Sequence, residues 1–297
     1  MYQGVVDLIG ATPLVRLQHL SPKGCAEICV KVEYRNPGGS VKDRAALAMI
    51  EAAEKDGTLA PGATIVEATS GNTGISLAMI AAVRGYTCVL VMPEDMSVAR
   101  RHILRAYGAE VVLTPPQDGM AGAVEKADRI RREMKAFMPK QFENANNVLA
   151  HERTTAEEIW SDTGGAIDAF VAGVGTGGTL TGVGHVLKKK NSNLLLVAVE
   201  PRASAVLSGG NAGSHAIQGL GAGFIPKILD RPQIDEILTV ADTAADRMVK
   251  RMAREEGLLV GPSAGANVHA AIEVARKMQA GQRVVTVLCD TGERYLG

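Results

Sequence analysis

A lysine stands where a nucleophilic amine is expected. Lys42 follows Asn36-Pro37-Gly38-Gly39-Ser40-Val41 and precedes Asp43-Arg44. Pro37 and the two glycines predict a turn, and Ser40 an N-cap. Ala45, Ala46, Met49, Ile50 and Ala53 then recur at helical spacing. Lys42 therefore falls in the first turn of a helix, where the dipole is positive and a cation gains nothing. A cation left unfavoured beside a tight turn can mark a functional amine, because an amine that sheds its proton readily is a nucleophile or base. A solvated surface lysine is the plain alternative.

Three further stretches carry polar chemistry, each after a strand-like run. Thr69-Ser70-Gly71-Asn72-Thr73-Gly74 opens a helix. Its hydroxyls, amide and glycines surround unpaired backbone N–H groups and suit a small carboxylate or phosphate. An ordinary helix capped by Asn72 or Thr73 is the competing reading. Gly173-Val174-Gly175-Thr176-Gly177-Gly178-Thr179 could wrap a phosphate with its backbone. It also satisfies G-x-G-x-x-G, and Glu200 ends the following strand where a ribose-binding acid would sit, so a nicotinamide-dependent oxidoreductase competes. No Gly-Lys-Ser/Thr follows, which excludes a Walker loop. Cys289-Asp290-Thr291-Gly292-Glu293-Arg294 offers a carboxylate and a hydroxyl for a heteroaromatic nitrogen. Gly261-Pro262-Ser263-Ala264-Gly265-Ala266 reads as a helix start capped by Ser263. The six histidines are scattered without ligand spacing, and none is assigned to a metal.

The elements that must position these residues alternate. Strands are predicted at 28–32, 64–67, 87–92, 110–113, 169–172, 194–199, 234–240 and 283–288. Helices are predicted at 75–84, 98–107, 121–135, 155–163, 179–189, 243–256 and 266–280. Gly85, Gly108 and Gly257 follow helices where a left-handed residue is wanted. This pattern predicts α/β architecture with open, mostly parallel twisted sheets flanked by helices. Ligands of such folds bind at the carboxyl ends of strands. The polar stretch 140–153 breaks the rhythm and is expected to connect two α/β units.

The chain has 297 residues, enough for two cores, and its 32 basic and 32 acidic residues balance. With no basic stripe and 3% aromatics, nucleic acid is not an expected partner. Four cysteines without paired CxxC spacing read as free thiols in a reducing compartment. No apolar run approaches the ~20 residues of a membrane span, and Met-Tyr-Gln-Gly-Val-Val-Asp is not a secretion signal. A soluble cytoplasmic protein is expected.

A reactive lysine, a carboxylate loop, a phosphate loop and a ring-nitrogen partner are the parts of a pyridoxal-phosphate site. The sequence resembles the cysteine synthases (O-acetylserine sulfhydrylases) among the fold-type II pyridoxal-phosphate enzymes, which are tryptophan synthase β-like. The resemblance runs from Ile9-Gly10-Ala11-Thr12-Pro13-Leu14 to Gly292-Glu293-Arg294-Tyr295-Leu296. It rests on Ser40–Arg44, Thr69–Gly74, Gly175–Thr179, Gly219–Pro226 and Gly292–Leu296.

The resemblance implies that Lys42 forms the Schiff base and moves the α-proton. Asn72 would bond the cofactor's ring hydroxyl. Thr69, Ser70, Asn72, Thr73 and Gln141 would hold the substrate. Gly175, Thr176, Gly177, Gly178 and Thr179 would cradle the phosphate, and Thr291 would meet the pyridine nitrogen. It further implies a smaller, mobile N-terminal domain, 36–145, and a larger domain of 1–35 plus 146–297 that binds the cofactor phosphate. The implied reaction makes L-cysteine and acetate from O-acetyl-L-serine and sulfide, or possibly thiosulfate. A homodimer and the C-terminal tail of serine acetyltransferase are the implied partners.

The sequence departs from the family pattern at Asp290-Thr291, where many members have two serines, and at Ala156 and Ala264. It also stops short of the usual C-terminal tail, whose dimer contacts would then be missing. Arg44–Leu47 and Met79–Ala82 resemble the B-type enzymes that accept thiosulfate, while Ile217–Pro226 resembles the A type. O-phosphoserine sulfhydrylase and cystathionine β-synthase-like activities are alternatives within the family. A non-catalytic acetyltransferase-binding protein is an alternative outside catalysis.

Overall fold

The computed structural model describes residues 1–296. The strands are β1 (Leu14–Arg16), β2 (Glu27–Val32), β3 (Thr64–Ala68), β4 (Thr87–Pro93), β5 (Glu110–Thr114), β6 (Ala169–Gly173), β7 (Leu195–Pro201), β8 (Glu236–Val240) and β9 (Arg283–Leu288). The helices are α1 (Lys42–Asp56), α2 (Asn72–Arg84), α3 (Val98–Ala106), α4 (Gly119–Met134), α5 (Asn146–Ala150), α6 (Ala156–Asp162), α7 (Gly178–Lys190), α8 (Asp242–Arg251) and α9 (Pro262–Arg276). They fall into two compact units. Met1–Ile9 and Lys42–Asn147 form one, and Gly10–Val41 with Val148 onward forms the other.

The first unit holds a parallel sheet in the order β3-β4-β5. Successive strand residues point to opposite faces, so each strand contributes to two layers. Ile65 and Leu90 join Ala46 and Ile50 of α1 and Ile75, Leu77 and Ile80 of α2 on one side. Val66, Val89 and Val91 meet Ala123, Ala127 and Ile130 of α4 on the other.

The second unit has six strands in the order β1-β2-β9-β6-β7-β8, all parallel except the β1–β2 pair. Its inner strands are mainly apolar, as suits strands covered on both faces, and β6 is apolar throughout. With Glu200 of β7 and Thr286 of β9, Lys31 of β2 is one of the buried polar exceptions. Its buried ammonium donates to the Thr12 carbonyl at 2.6 Å and pairs with Asp162 at 2.9 Å and Glu158 at 3.0 Å. That satisfies a charge which would otherwise be costly to bury.

Gly85, Gly108 and Gly257 follow their helices with φ of 74°, 83° and 69°, as the sequence predicts. Other expectations change. The three-residue β1 has no pattern to read; it forms because β2 offers it an antiparallel edge. The stretch 140–153 is not wholly a connector, because it contains α5 and enters a π-helical turn at His151–Thr155. Ser40 lies ahead of α1. It is held in an antiparallel bridge to Asp290, and the helix begins two residues later.

Candidate active site

In the first unit Lys42 is the first residue of α1 and is half-buried. Its neighbour Asp43 is fully buried, a placement that favours the positive end of the helix. Asp43 Oδ1 accepts from the Ser76 hydroxyl at 2.5 Å, and that hydroxyl lies 3.1 Å from the Asn72 carbonyl oxygen. One buried serine of α2 thus ties the helix start that carries Lys42 to the loop that carries Asn72.

The Thr69–Gly74 loop leaves β3 and enters α2 through Gly71, and no side chain caps the helix. The capped-helix reading by Asn72 or Thr73 therefore fails; both lie inside the first turn. Thr69 Oγ1 accepts from the Gly71 N–H at 3.2 Å, which closes the loop on itself. The Thr73 hydroxyl donates to Gln141 Oε1 at 2.6 Å, leaving the Gln141 amide NH2 as a donor. Asn147 Nδ2 fixes the Gln141 carbonyl at 2.8 Å. Thr69, Thr73 and Gln141 are buried, while Ser70 and Asn72 are half-buried. Hydroxyl and amide donors around an uncapped helix start suit a carboxylate.

In the second unit the chain leaves β6 through Val174–Gly177 and enters α7. Gly175 is required by packing, since a Cβ there would run into the Gly219 carbonyl oxygen. Gly177 has φ +87°, a left-handed conformation that glycine adopts freely. The N-cap of α7, Gly177, has no side chain to cap it, and Thr176 Oγ1 accepts from Gly178 N at 3.4 Å. The nearby hydroxyls are those of Thr176, which is buried, and Thr179, which lies 3.2 Å from His151 Nε2. His151 Nδ1 in turn lies 2.9 Å from Thr155 Oγ1. Backbone amides, two hydroxyls and a close glycine approach form a cup that fits a phosphate.

Glu200 does not serve a ribose. Its buried carboxylate accepts from Leu207 N at 2.8 Å, Ser208 N at 2.9 Å and Ser208 Oγ at 2.6 Å. The nicotinamide reading loses its acidic partner.

Thr291 precedes the last 3-10 turn, and its hydroxyl oxygen accepts from Glu293 N. Asp290 is buried and accepts from the Tyr295 hydroxyl at 2.5 Å. Ser263 does not cap α9, whose N-cap is Gly261 with Pro262 following. It is buried inside the first turn, beside Gly219, whose carbonyl abuts Gly175. Two residues stay hidden from sequence reasoning. His151 looks like one of six scattered histidines, yet it stands behind Thr179. Asn267 sits mid-helix, yet it accepts from Gly173 N at 2.8 Å and donates to the Val287 carbonyl at 2.8 Å, fixing the end of β6. His151 meets Thr179 across 28 residues and Asn267 meets Gly173 across 94, so no local signal marks either. Phe224 and Ile225 are exposed.

Open parallel sheets with a glycine-lined phosphate cup and a hydroxyl-rich anion loop at strand ends are those of an α/β enzyme with a phosphate-bearing cofactor. A family profile described as pyridoxal-phosphate dependent enzyme matches residues 5–290. The chain belongs to that family. A cysteine synthase of Staphylococcus aureus (strain Mu50 / ATCC 700699) is 54% identical over 293 residues, 98% of this chain and 94% of the relative. Among solved structures, an O-ureido-L-serine synthase matches with TM-score 0.97 at 46% identity, covering 100% of this chain and 94% of that one. A cysteine synthase (OASS) from Entamoeba histolytica matches with TM-score 0.96 at 42% identity, covering 100% and 90%. Among the described residues no group of His, Cys, Asp and Glu could hold a metal ion, and no helix is long and apolar enough to cross a membrane.

Proposed function

We propose that the protein is a cysteine synthase, making L-cysteine and acetate from O-acetyl-L-serine and sulfide. The observation that carries this reading is 54% identity to a cysteine synthase over nearly the whole chain. Pyridoxal phosphate, when bound, withdraws electrons from the substrate Cα, so that its proton becomes acidic and the β-acetate can leave. The Gly175–Thr179 amides and the Thr176 and Thr179 hydroxyls hold its phosphate. Asn72 bonds its ring hydroxyl. A neutral hydroxyl meets the ring nitrogen, with Thr291 and Ser263 the two candidates. Thr69, Ser70, Thr73 and Gln141 hold the substrate carboxylate and so orient the Cα–H bond. Lys42 Nζ would anchor the cofactor and, once the substrate amine has displaced it, the freed amine would take the proton from Cα and return it to Cα after sulfur has bonded to Cβ. Phe224 and Ile225 suit entry of an uncharged ester. The working form is a cytoplasmic homodimer, with the serine acetyltransferase tail as a partner.

An O-ureido-L-serine-forming activity is the second reading, favoured by the solved structure at TM-score 0.97. The lower identity of that relative, 46% against 54%, places it second. The test is the visible spectrum of the purified protein. The cofactor band should shift on adding O-acetyl-L-serine and return on adding sulfide. A yellow protein silent to O-acetylserine would redirect the search to other β-substituted amino acids. A protein that pyridoxal phosphate cannot colour would overturn the catalytic reading. Thiosulfate, O-phosphoserine and homocysteine, assayed side by side, separate the subtypes.

A further inference from the structure

We infer that Glu67 is the positioning residue of the substrate-carboxylate pocket, acting through Gln141. This inference rests on the reading of Thr73 and Gln141 as carboxylate holders. The segment 136–141 runs along the outer edge of β3. Phe137 pairs with β3 through Val66 N at 2.8 Å and Thr64 O at 2.9 Å. Pro139 has no N–H and ends that ladder. Beyond it the chain turns at Lys140, whose φ is +53°, a conformation that a non-glycine residue adopts only when held.

Glu67 does the holding. Its Oε2 accepts from Lys140 N at 3.1 Å and its Oε1 from Gln141 N at 3.3 Å. The side chain thus replaces the missing strand partner over the two residues that deliver Gln141 to Thr73. Glu67 also lies two residues before Thr69, so one carboxylate joins both parts of the pocket. Its side chain is buried, and its ladder partner on β4 is Leu90, which is apolar.

An ionised carboxylate can hold both N–H groups; a protonated one offers one good acceptor. Burial pushes Glu67 up to about 7, against the two backbone bonds and the Lys140 ammonium, which pull it down. The other charged and titratable groups on the helices of this face are Lys42, Asp43, Arg44, Glu51, Glu54, Lys55 and Asp56 on α1, Arg84 on α2, and Arg100, Arg101, His102 and Arg105 on α3. None of them adds to the causes acting on Glu67, where Lys140 is the one charged side chain. Order of the Gln141 turn, and with it carboxylate affinity, should therefore weaken as pH falls through neutrality.

The test compares wild type, Glu67→Gln, Gln141→Ala and the double variant as holoenzymes at pH 8. Glu67→Gln should raise KM for O-acetyl-L-serine roughly tenfold, as expected for loss of a charge-assisted hydrogen bond, with kcat and pyridoxal-phosphate affinity little changed. The double variant should be no worse than Gln141→Ala alone. A KM effect from Gln141→Ala but none from Glu67→Gln overturns the inference and keeps the pocket. No effect from Gln141→Ala overturns the pocket reading itself. Additive losses would make Glu67 a general structural residue. Should Glu67→Gln fail to fold, amide exchange of the wild-type peptide spanning 140–141 decides. The inference requires protection that drops below pH 7 relative to flanking peptides; uniform protection overturns it.

Discussion

At the start of α2 the groups offered to a ligand are side chains tied to one another. Thr73 holds Gln141, Ser76 joins Asp43 to Asn72, and Glu67 fastens the turn that presents Gln141. At the start of α7 they are backbone amides shaped by packing, with Gly175 pressed on the Gly219 carbonyl and Gly177 in a left-handed turn. Each sheet also carries a buried glutamate near the end of a strand, Glu67 on β3 and Glu200 on β7. Glu67 accepts two backbone N–H groups, while Glu200 accepts two and a serine hydroxyl. The difference fits the tasks. A phosphate that stays bound is served by a cup that cannot change shape. A substrate that must come and go is served by a polar network whose strength depends on each member.

The contrast can be broken by substitution, beginning with the chemistry itself. Lys42→Ala should lower kcat at least ~10³-fold, the scale of losing a positioned acid–base group, without lowering thermal stability. Retained turnover would remove Lys42 from the mechanism. Gly175→Ala tests the rigid cup. Its methyl must displace the Gly219 backbone, at a cost of about 3 kcal/mol, visible in urea unfolding and as lost pyridoxal-phosphate retention. A variant of wild-type stability would mean that the cup yields.

The polar side is sharpened by pH. Glu67 is raised from 4.5 to about 7 by burial. For an acid raised on folding, the stabilisation is whole below about 4.5 and is lost as pH rises through about 7, a change of about 3 kcal/mol. The wild type should therefore lose about that much stability relative to Glu67→Gln between pH 4.5 and 8, measured from urea midpoints. Parallel curves would show that Glu67 ionises without strain. The site then accepts a stability cost at working pH for an ionised anchor, a trade common at functional positions.

The smallest effects separate the two hydroxyls. Ser263→Ala should shift the cofactor's absorbance, because among the described residues none accepts this buried hydroxyl's proton. Thr291→Val should chiefly loosen the terminal turn that its oxygen caps, by about 1 kcal/mol. The opposite pattern would give the ring nitrogen to Thr291.

Much of this was legible in the residues. Short, mainly apolar, β-branched runs bounded by turn residues placed the inner strands, because strands covered on both faces are largely apolar and too short to be helices. Glycine-rich turns after strands marked both loops, since few other residues allow the backbone so near a ligand. The sequence by itself thus determined the α/β class, the lysine at a helix start and the two loops. Tertiary structure decided what local sequence does not encode. It set the β1 edge, bridged Ser40 to Asp290, and committed Glu200 to its own loop. It also brought His151 to Thr179, Asn267 to Gly173, and Glu67 to the Gln141 turn. Apart from the Glu200 contacts, which span seven and eight residues, each is a polar contact between segments distant in the chain, and only packing brings such segments within hydrogen-bond reach.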